Sequence, residues 1–332
     1  MFDIITFGSA TKDIFVRPKQ LSLLQYEKEG IHGGFCFVPG SKVDVEEMIF
    51  SSGGGGTNVA ATFAKQGFKT AFVGVVGPDL SGQEIIRELN SIGINTRMMR
   101  HIKEKPTNHS VIILNENLDR TVMAYRGASE MMSNETIPWG KLKAKWLYLA
   151  PLTGLLAKSF QELVNFAKER GIKISCNPSI AQLSLAHFAD IVKNIDILIL
   201  NREEASFLTK IPHQKEAELF KKIDEICPGI AVMTKGGDGV TVSDGKHVYS
   251  AKPHETRKVV DTLGAGDSFG SGFVAEYMRT ADIEKAIQFG MANSEACLTE
   301  IGSKNGLLKK GAEYDRVHVT KQECDNNVCL VK

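Results

Sequence analysis

The sequence lacks a charge imbalance: its 332 residues include 40 Lys and Arg against 39 Asp and Glu, giving a formal net charge of +1. Nucleic-acid binding needs a basic surface, so we expect no nucleic-acid partner. A small anionic ligand remains compatible because it needs only a local site. Hydrophobic residues make up 42% and charged residues 24% of the chain, which excludes a disordered or fibrous protein.

Long apolar runs and targeting signals are also missing. No run approaches the ~18 residues of a membrane span, and the opening segment MFDIITFGSATKDIFV has neither the basic start nor the apolar stretch of a secretory signal. Cys324 and Cys329 have no standard zinc spacing, and the other four cysteines are isolated. We therefore expect a cytoplasmic protein with no membrane partner and with reduced thiols.

Several catalytic motifs are absent from the chain. It contains no G-x-x-x-x-G-K-[S/T] phosphate loop, no H-E-x-x-H and no G-x-S-x-G segment. The eight histidines do not cluster, which disfavours a metal hydrolase. A relaxed G-x-G-x-x-A match at 270–275 falls inside a predicted helix, so we expect no dinucleotide site and no NAD-dependent oxidoreductase there.

What is present is an alternation of short runs rich in Ile, Val and Leu with longer amphipathic stretches. Strands are predicted at 4–8, 70–77, 110–115, 146–151, 173–178, 196–201, 230–235 and 240–243. Helices are predicted at 81–92, 155–170, 215–226, 265–279 and 283–299. Strand–helix alternation indicates an α/β fold with a mainly parallel sheet covered on both faces. Such sheets bind ligands beyond the carboxyl ends of their strands.

Two segments interrupt this alternation. Residues 14–50 carry Pro and Gly among short apolar pieces, and residues 98–126 suggest two or three strands with polar turns. We predict a single domain over 1–332, in which these two segments form a small β-rich lid over a site. The alternative is that both are ordinary surface insertions.

The segment Asp261–Asp267 (DTLGAGD) directly precedes a predicted helix. The glycines let backbone N–H groups approach a ligand, and the free N–H groups and dipole of a helix start attract anions such as a phosphoryl group. Asp267 in the first turn is either a carboxylate that favours the helix or a general base beside that anion site. The proximity of the two features favours the base.

Three further segments are candidates for ligand contacts. In 52–61 (SGGGGTNVAA) the glycines allow a ligand to approach closely or form a hinge, and Asn58 either caps a helix or binds a polyol. Residues 234–239 (TKGGDG) form a β-turn that could also contact nucleotide phosphates. Residues 201–204 (NREE) open a short helix and could also organise Mg²⁺-bound water.

These four segments, in this order, resemble the motifs of the PfkB, or ribokinase-like, carbohydrate kinase family. The matches are DTxGAGD, G-G-x-x-x-N, N-x-x-E and T-x-G-x-x-G, and the resemblance runs from about residue 4 to 306. It implies a three-layer αβα sandwich with a mainly parallel central sheet and a small β-rich lid. It also implies transfer of the ATP γ-phosphoryl group to a hydroxymethyl group.

The resemblance also implies roles for individual residues. The general base would be Asp267, and the anion hole would be the amides of Gly264, Ala265 and Gly266. The acceptor would be bound by Asp13, Gly54, Gly55 and Asn58. ATP would be bound by Asn177, Thr234, Gly236, Gly239, Thr262 and Asn293. Mg²⁺ and its waters would be organised by Asn201 and Glu204. Several family members also use a monovalent cation such as K⁺ near DTxGAGD, and members often dimerise through the lid.

The acceptor itself stays open at this point. Leu149, Ala150 and Pro151 occupy the place where ribokinases tend to have a sugar-binding Glu. We favour a sugar such as ribose, fructose or a sugar acid over a nucleoside such as adenosine or cytidine. A non-catalytic sugar or nucleotide sensor on the same fold is the alternative from a different class of protein.

Overall fold

A computed structural model describes residues 1–19, 22–28, 31–114, 120–255 and 259–324. Its strands are β1 (Phe2–Phe7), β2 (Thr11–Pro18), β3 (Ser22–Lys28), β4 (Ile31–Cys36), β5 (Val45–Gly53), β6 (Thr70–Val73), β7 (Val75–Val76), β8 (Arg100–His101), β9 (Asn108–Leu114), β10 (Arg120–Tyr125), β11 (Ala144–Leu149), β12 (Lys173–Cys176), β13 (Ile197–Asn201), β14 (Ile230–Thr234), β15 (Val240–Ser243), β16 (His247–Ala251) and β17 (Val319–Glu323). Its helices are α1 (Gly55–Lys65), α2 (Leu80–Ser91), α3 (Gly154–Lys158), α4 (Phe160–Glu169), α5 (Ile180–Leu183), α6 (Phe188–Val192), α7 (Arg202–Thr209), α8 (Glu216–Ile226), α9 (Ala265–Thr280) and α10 (Ile283–Cys297).

The largest element is a nine-stranded sheet in the order β17-β16-β15-β14-β13-β12-β11-β1-β6. The six strands from β14 to β6 are parallel, and β15, β16 and β17 add an antiparallel edge. In β13 the side chains alternate between two apolar cores, with Leu198 and Leu200 in one and Ile197 and Ile199 in the other. The predicted mainly parallel sheet, buried on both faces, is therefore confirmed.

Helices cover both faces of this sheet. One core contains Phe160 of α4 and Phe220 of α8, and the other contains Phe63 of α1 and Phe273 of α9. The single helix predicted at 155–170 is wrong in one respect, because the backbone leaves helical geometry at Ser159 (φ −86°, ψ 9°), which separates α3 from α4.

A second, four-stranded sheet in the order β10-β9-β2-β5 forms the wall that we call the lid sheet. Its strands lie within, or begin beside, the two segments for which a β-rich lid was predicted. Its inner face carries Phe15 and Ile112, which are 1% and 0% exposed. Its outer face carries one row in register across all four strands, made of Phe50, Ile14, Val111 and Met123.

None of the described helices is long and apolar enough to cross a membrane. Cys36, Cys176, Cys227 and Cys297 are free thiols, as expected. Cys324 is disulfide-bonded, so the prediction of reduced thiols throughout is wrong at this position. Cys329, the other cysteine of the tail, lies outside the described residues.

Candidate active site

A pocket of about 190 Å³ lies between the inner face of the lid sheet and the start of α9. Among its lining residues are Asp13, Gly54, Gly55, Asn58, Gly264 and Asp267. The structure thus brings together all four predicted acceptor contacts, the predicted base and part of the predicted anion hole, from segments as far apart as residues 13 and 267. A larger groove of about 1130 Å³ at the amino ends of the parallel strands contains none of the predicted site residues.

Asp267 stands in the first turn of α9 and is only partly exposed. Its Oδ2 accepts a hydrogen bond of 2.8 Å from Asn58 Nδ2. Burial raises the pKa of the Asp267 carboxyl, and the Asn58 bond opposes that rise. Desolvation of this kind makes a carboxylate a stronger base, because the charged form loses its water.

Asn58 does not cap α1, so one of the two roles considered for it is wrong. The cap is Gly54, whose φ of 97° suits glycine alone, and Asn58 lies a full turn into the helix. Its carbonyl oxygen Oδ1 is buried and has no hydrogen-bond partner among the described residues. Asn58 therefore orients Asp267 with one end and presents an unpaired acceptor with the other.

The loop before α9 is organised by Asp261, which sequence reasoning did not single out. Its buried carboxylate accepts hydrogen bonds from Leu263 N at 2.9 Å and Gly302 N at 3.0 Å, and it pairs with Arg120 of β10 at 3.6 Å. Arg120 also donates to the Thr262 hydroxyl, so Thr262 is tied to the lid sheet. The position of Asp261 inside DTLGAGD was a signal that could have identified it.

Gly264 precedes α9 with φ 80°, the left-handed region that favours glycine. A Cβ at this position would come within 2.4 Å of Ser303 Cβ, so only glycine fits. The Ala265 amide donates only a long bond of 3.4 Å to Thr262 O, and Gly266 is exposed with open space around it. The start of α9 therefore presents N–H groups that an anion can approach.

Asp13 enters the pocket from β2 and is 4% exposed. Burial raises the pKa of its carboxyl to about 6, against the lowering effects of a hydrogen bond from Ser110 and the charge of Lys304. A Cβ on Gly53 would lie 2.0 Å from Asp13 Oδ2, so the carboxylate packs against bare backbone. Ser110 and Lys304 had no sequence signal, since neither lies in a motif.

A second polar cluster forms where β12 and β13 end. Asn201 caps α7 by accepting from Glu204 N at 2.8 Å, while Glu204 Oε2 accepts from Asn201 N at 2.9 Å and from Asn177 Nδ2 at 3.3 Å. Burial raises the pKa of Glu204, and the charge of Asp267 adds to that rise. The cluster brings together three of the residues predicted to bind ATP or Mg²⁺, namely Asn177, Asn201 and Glu204.

The turn at 234–239 lies beside this cluster. Gly236 and Gly239 have positive φ values of 58° and 94°, as expected for glycines in a tight turn. The Thr234 hydroxyl donates to Leu200 O at 3.4 Å. Arg202 joins the turn to α7 through a 2.7 Å ion pair with Asp238, an interaction that the sequence did not reveal.

Asn293 is the predicted ATP contact that the structure contradicts. It is 0% exposed, its Nδ2 donates to Ser268 O at 2.8 Å, and its Oδ1 accepts from Leu308 N at 3.0 Å. A fully buried amide with both ends bonded cannot reach a nucleotide. Asn293 instead joins α9 and α10 to the segment at Leu308.

The sequence of this chain matches the model of a known protein family. A family model described as pfkB family carbohydrate kinase matches residues 24–310. The chain belongs to the pfkB family of carbohydrate kinases. It is accordingly an enzyme, a phosphotransferase of the sugar and nucleoside kinase class.

Curated relatives of this pfkB-family chain include both kinds of kinase. It is 27% identical over 252 residues to a protein named uncharacterized sugar kinase from Archaeoglobus fulgidus, covering 74% of this chain and 97% of the relative. It is 24% identical to a ribokinase from Haemophilus influenzae, with 81% and 88% covered. It is 27% identical to a nucleoside kinase from Methanothermobacter thermautotrophicus, with 84% and 88% covered.

Solved structures show the same fold. A ribokinase from Arabidopsis thaliana, complexed with ribose and ATP, aligns with a TM-score of 0.76 over 93% of this chain and 96% of that one, at 22% identity. A nucleoside kinase from Methanocaldococcus jannaschii aligns with a TM-score of 0.71 over 92% and 95%, at 18% identity. The predicted ribokinase-like αβα architecture is therefore confirmed.

In this pfkB-family site, few protein side chains could hold Mg²⁺. No group of three or more His, Cys, Asp or Glu able to hold a metal occurs in the described parts of the chain. Mg²⁺ keeps several waters and often uses one or two carboxylates together with substrate phosphates. Glu204 can supply one such carboxylate, whereas the Asn201 oxygen is already engaged as a helix cap.

Proposed function

We propose that this enzyme transfers the γ-phosphoryl group of ATP to a hydroxymethyl group of a monosaccharide, with Asp267 as general base. One observation carries the proposal: a partly buried carboxylate with a raised pKa stands at the start of a helix, in the same pocket as Asp13. Proton acceptance and anion binding are the two requirements of phosphoryl transfer to an alcohol.

The arrangement assigns a task to each group. Asp267 accepts the proton of the acceptor hydroxyl as its oxygen attacks in line, and Asn58 holds the carboxylate in place through the 2.8 Å bond. The N–H groups of Gly264, Ala265 and Gly266 stabilise negative charge on the phosphoryl oxygens. Asp13 orients the acceptor by accepting hydrogen bonds from its other hydroxyls.

The nucleotide belongs on the side of Glu204 and the turn at 234–239. Thr234, Gly236, Gly239 and Asn177 remain the proposed phosphate and ribose contacts. Mg²⁺, when bound with the nucleotide, would neutralise phosphate charge near Glu204. In this assignment Asn201 acts by capping α7 and positioning Glu204. A monovalent cation near DTLGAGD stays a prediction, as does a cytoplasmic location.

Pocket size supports a sugar over a nucleoside. The volume of about 190 Å³ is below the ~300–1,000 Å³ of clefts that bury drug-sized ligands. A nucleoside kinase is the second candidate, because Ile112, Val122 and Leu263 give the pocket an apolar wall against which a base could pack.

The outer face of the lid sheet supports a homodimer as the assembly. Phe50 and Met123 are 60% and 53% exposed, and Met48 and Tyr125 on the same face are 51% and 48% exposed. Contiguous apolar surface of this kind marks interaction sites. Since the patch spans both edge strands, β5 and β10, we propose that a second copy of the chain covers it.

The deciding experiment is a coupled assay of ADP release with ribose, fructose, sugar acids, adenosine and cytidine as acceptors. The Asp267→Asn variant supplies the background rate. We expect turnover with a monosaccharide that exceeds this background by at least about 10²-fold. Turnover with nucleosides alone would replace the sugar assignment, and no turnover with any acceptor would favour the sensor.

A further inference from the structure

One buried hydroxyl in the pocket has no role in the mechanism described above. Ser303 is 1% exposed, lines the pocket, and its Oγ has no hydrogen-bond partner among the described residues. A buried polar group without a partner costs about 1–3 kcal/mol, and the great majority of such groups in proteins are paired. A partner for Ser303 would therefore come from the pocket itself.

The chain around Ser303 is fastened in several places. Gly302 N donates to Asp261 at 3.0 Å, and Lys65 Nζ donates to the carbonyls of Lys304 and Asn305 at 2.6 and 3.1 Å. These three bonds hold in place the backbone from which the Ser303 side chain projects.

Lys304 adds the strongest of these attachments. It is 5% exposed, pairs with Glu88 of α2 at 3.0 Å and donates to the Ser52 hydroxyl beside the glycine run. Ser52 in turn donates to Glu88 at 2.5 Å. These contacts anchor Lys304, the residue that directly follows Ser303, to α2 and to the end of β5.

The Ser303 side chain also packs against Gly264, in the loop before α9. Gly264 lies against it so closely that a Cβ there would stand 2.7 Å from Ser303 Oγ. The hydroxyl thus lies beside the loop that would grip the phosphoryl group, and on the pocket wall shared with Asp13 and Asn58.

We propose that Ser303 is a specificity-determining residue that hydrogen-bonds a hydroxyl of the acceptor. This inference rests on the proposed function and narrows it. Among the described residues, Asn58 Oδ1 is a second buried atom of this pocket without a hydrogen-bond partner, and it can only accept. Together they select an acceptor with at least two hydroxyls besides the reacting one, which is a polyhydroxylated sugar rather than a deoxygenated one.

The test combines Ser303→Ala with a series of monodeoxy analogues of the best acceptor. For the full acceptor we expect KM to rise about tenfold, which corresponds to about 1.4 kcal/mol, with kcat changed by less than about twofold. For the analogue that lacks the contacted hydroxyl, variant and wild type should have the same KM. Ser175→Ala is the matched control, a buried serine of β12 outside the pocket whose hydroxyl bonds Leu147 O at 3.4 Å.

The outcomes separate the two proposals. If wild type turns over and Ser303→Ala has the same KM for every acceptor, or an equal loss for all analogues, the role of Ser303 is overturned while the kinase proposal stands. If wild type phosphorylates no sugar, the proposed function fails and the inference with it. Thermal unfolding of Ser303→Ala near the wild-type temperature would show that a KM effect is not a folding defect.

Discussion

The two sheets of the molecule present two buried carboxylates to one pocket in different ways. Asp267 is carried by α9, which packs on a sheet whose strands are buried on both faces. Asp13 is carried by β2 of the lid sheet, which has one face over the pocket and the other exposed. In the proposed mechanism, the group that takes the proton therefore belongs to a helix on the large sheet, whereas the group that recognises the acceptor belongs to the lid sheet.

The surroundings of the two carboxylates differ accordingly. Asp267 is bonded by the neutral amide of Asn58, which leaves its charge available for a proton. Burial raises the pKa of Asp13 to about 6, and the Ser110 hydrogen bond and the charge of Lys304 oppose that rise without cancelling it.

Substituting Asp267 or Asp13 should change the kinetics more than any of the other substitutions proposed below. Asp267→Ala should lower kcat by roughly 10²–10⁴ with little change in the KM for ATP, because only the transition state loses its base. Asp13→Ala should act mainly through the KM for the acceptor. Steady-state kinetics with both substrates varied distinguish the patterns, and an unchanged kcat in Asp267→Ala would exclude the base assignment.

Protonation of Asp13 should be visible in the pH dependence of kcat/KM. Because its carboxyl has a pKa of about 6, we expect kcat/KM to fall about tenfold between pH 7 and pH 5 as it becomes protonated. Asp13→Asn should be slower and should lose this tenfold fall, keeping only the dependence that comes from protonation of the base Asp267, whose pKa is also raised by burial. A wild-type profile that stays flat down to pH 5 would contradict it.

Ionisation of Asp13, which should favour activity, should lower the free energy of unfolding. The folded-state pKa of Asp13 lies above its ordinary value of 3.8, so ionisation as the pH rises through about 6 costs folding free energy. Asp13→Asn should therefore be more stable than wild type at pH 8, by at most about 3 kcal/mol, and nearly equal to it at pH 4. Thermal unfolding at the two pH values measures the difference, and equal differences at both would contradict the prediction.

The exposed face of the lid sheet should respond to charge. Met123→Lys places a cation in the apolar row and should convert the dimer to a monomer in sedimentation equilibrium. Leu80→Lys is the matched control, since Leu80 is 74% exposed and lies outside the lid sheet. A wild type that is already monomeric at micromolar concentration would end the dimer proposal.

The smallest effect should come from the link between the two regions. Arg120 joins β10 to Asp261 and Thr262. Arg120 is 25% exposed and Asp261 keeps its bonds from Leu263 N and Gly302 N without it, so Arg120→Ala should lower kcat/KM by only roughly twofold to fivefold. A larger loss, measured in the same assay, would mean that Arg120 contacts a ligand directly.

Features that depend on residues close together in the chain could be predicted from the sequence. The alternation of strands and helices predicted the parallel sheet, and DTLGAGD before a helix predicted N–H groups at the start of α9. It failed at Asn293, because motif position says nothing about whether a side chain faces a ligand or the core. It missed Lys304, whose partners Glu88 and Ser52 are distant in the chain.

Fold class and family follow from the amino-acid sequence alone, because hydrophobic periodicity and glycine placement act within a few residues of one another. The tertiary structure sets which side chains share the pocket: Asn58 bonds Asp267 across 209 residues, and Ser303 Oγ has no hydrogen-bond partner within the described part of the chain. Burial and pairing are set by neighbours that are remote in the chain. The upward shifts in the pKa values of Asp13 and Asp267 therefore arise only in the folded molecule.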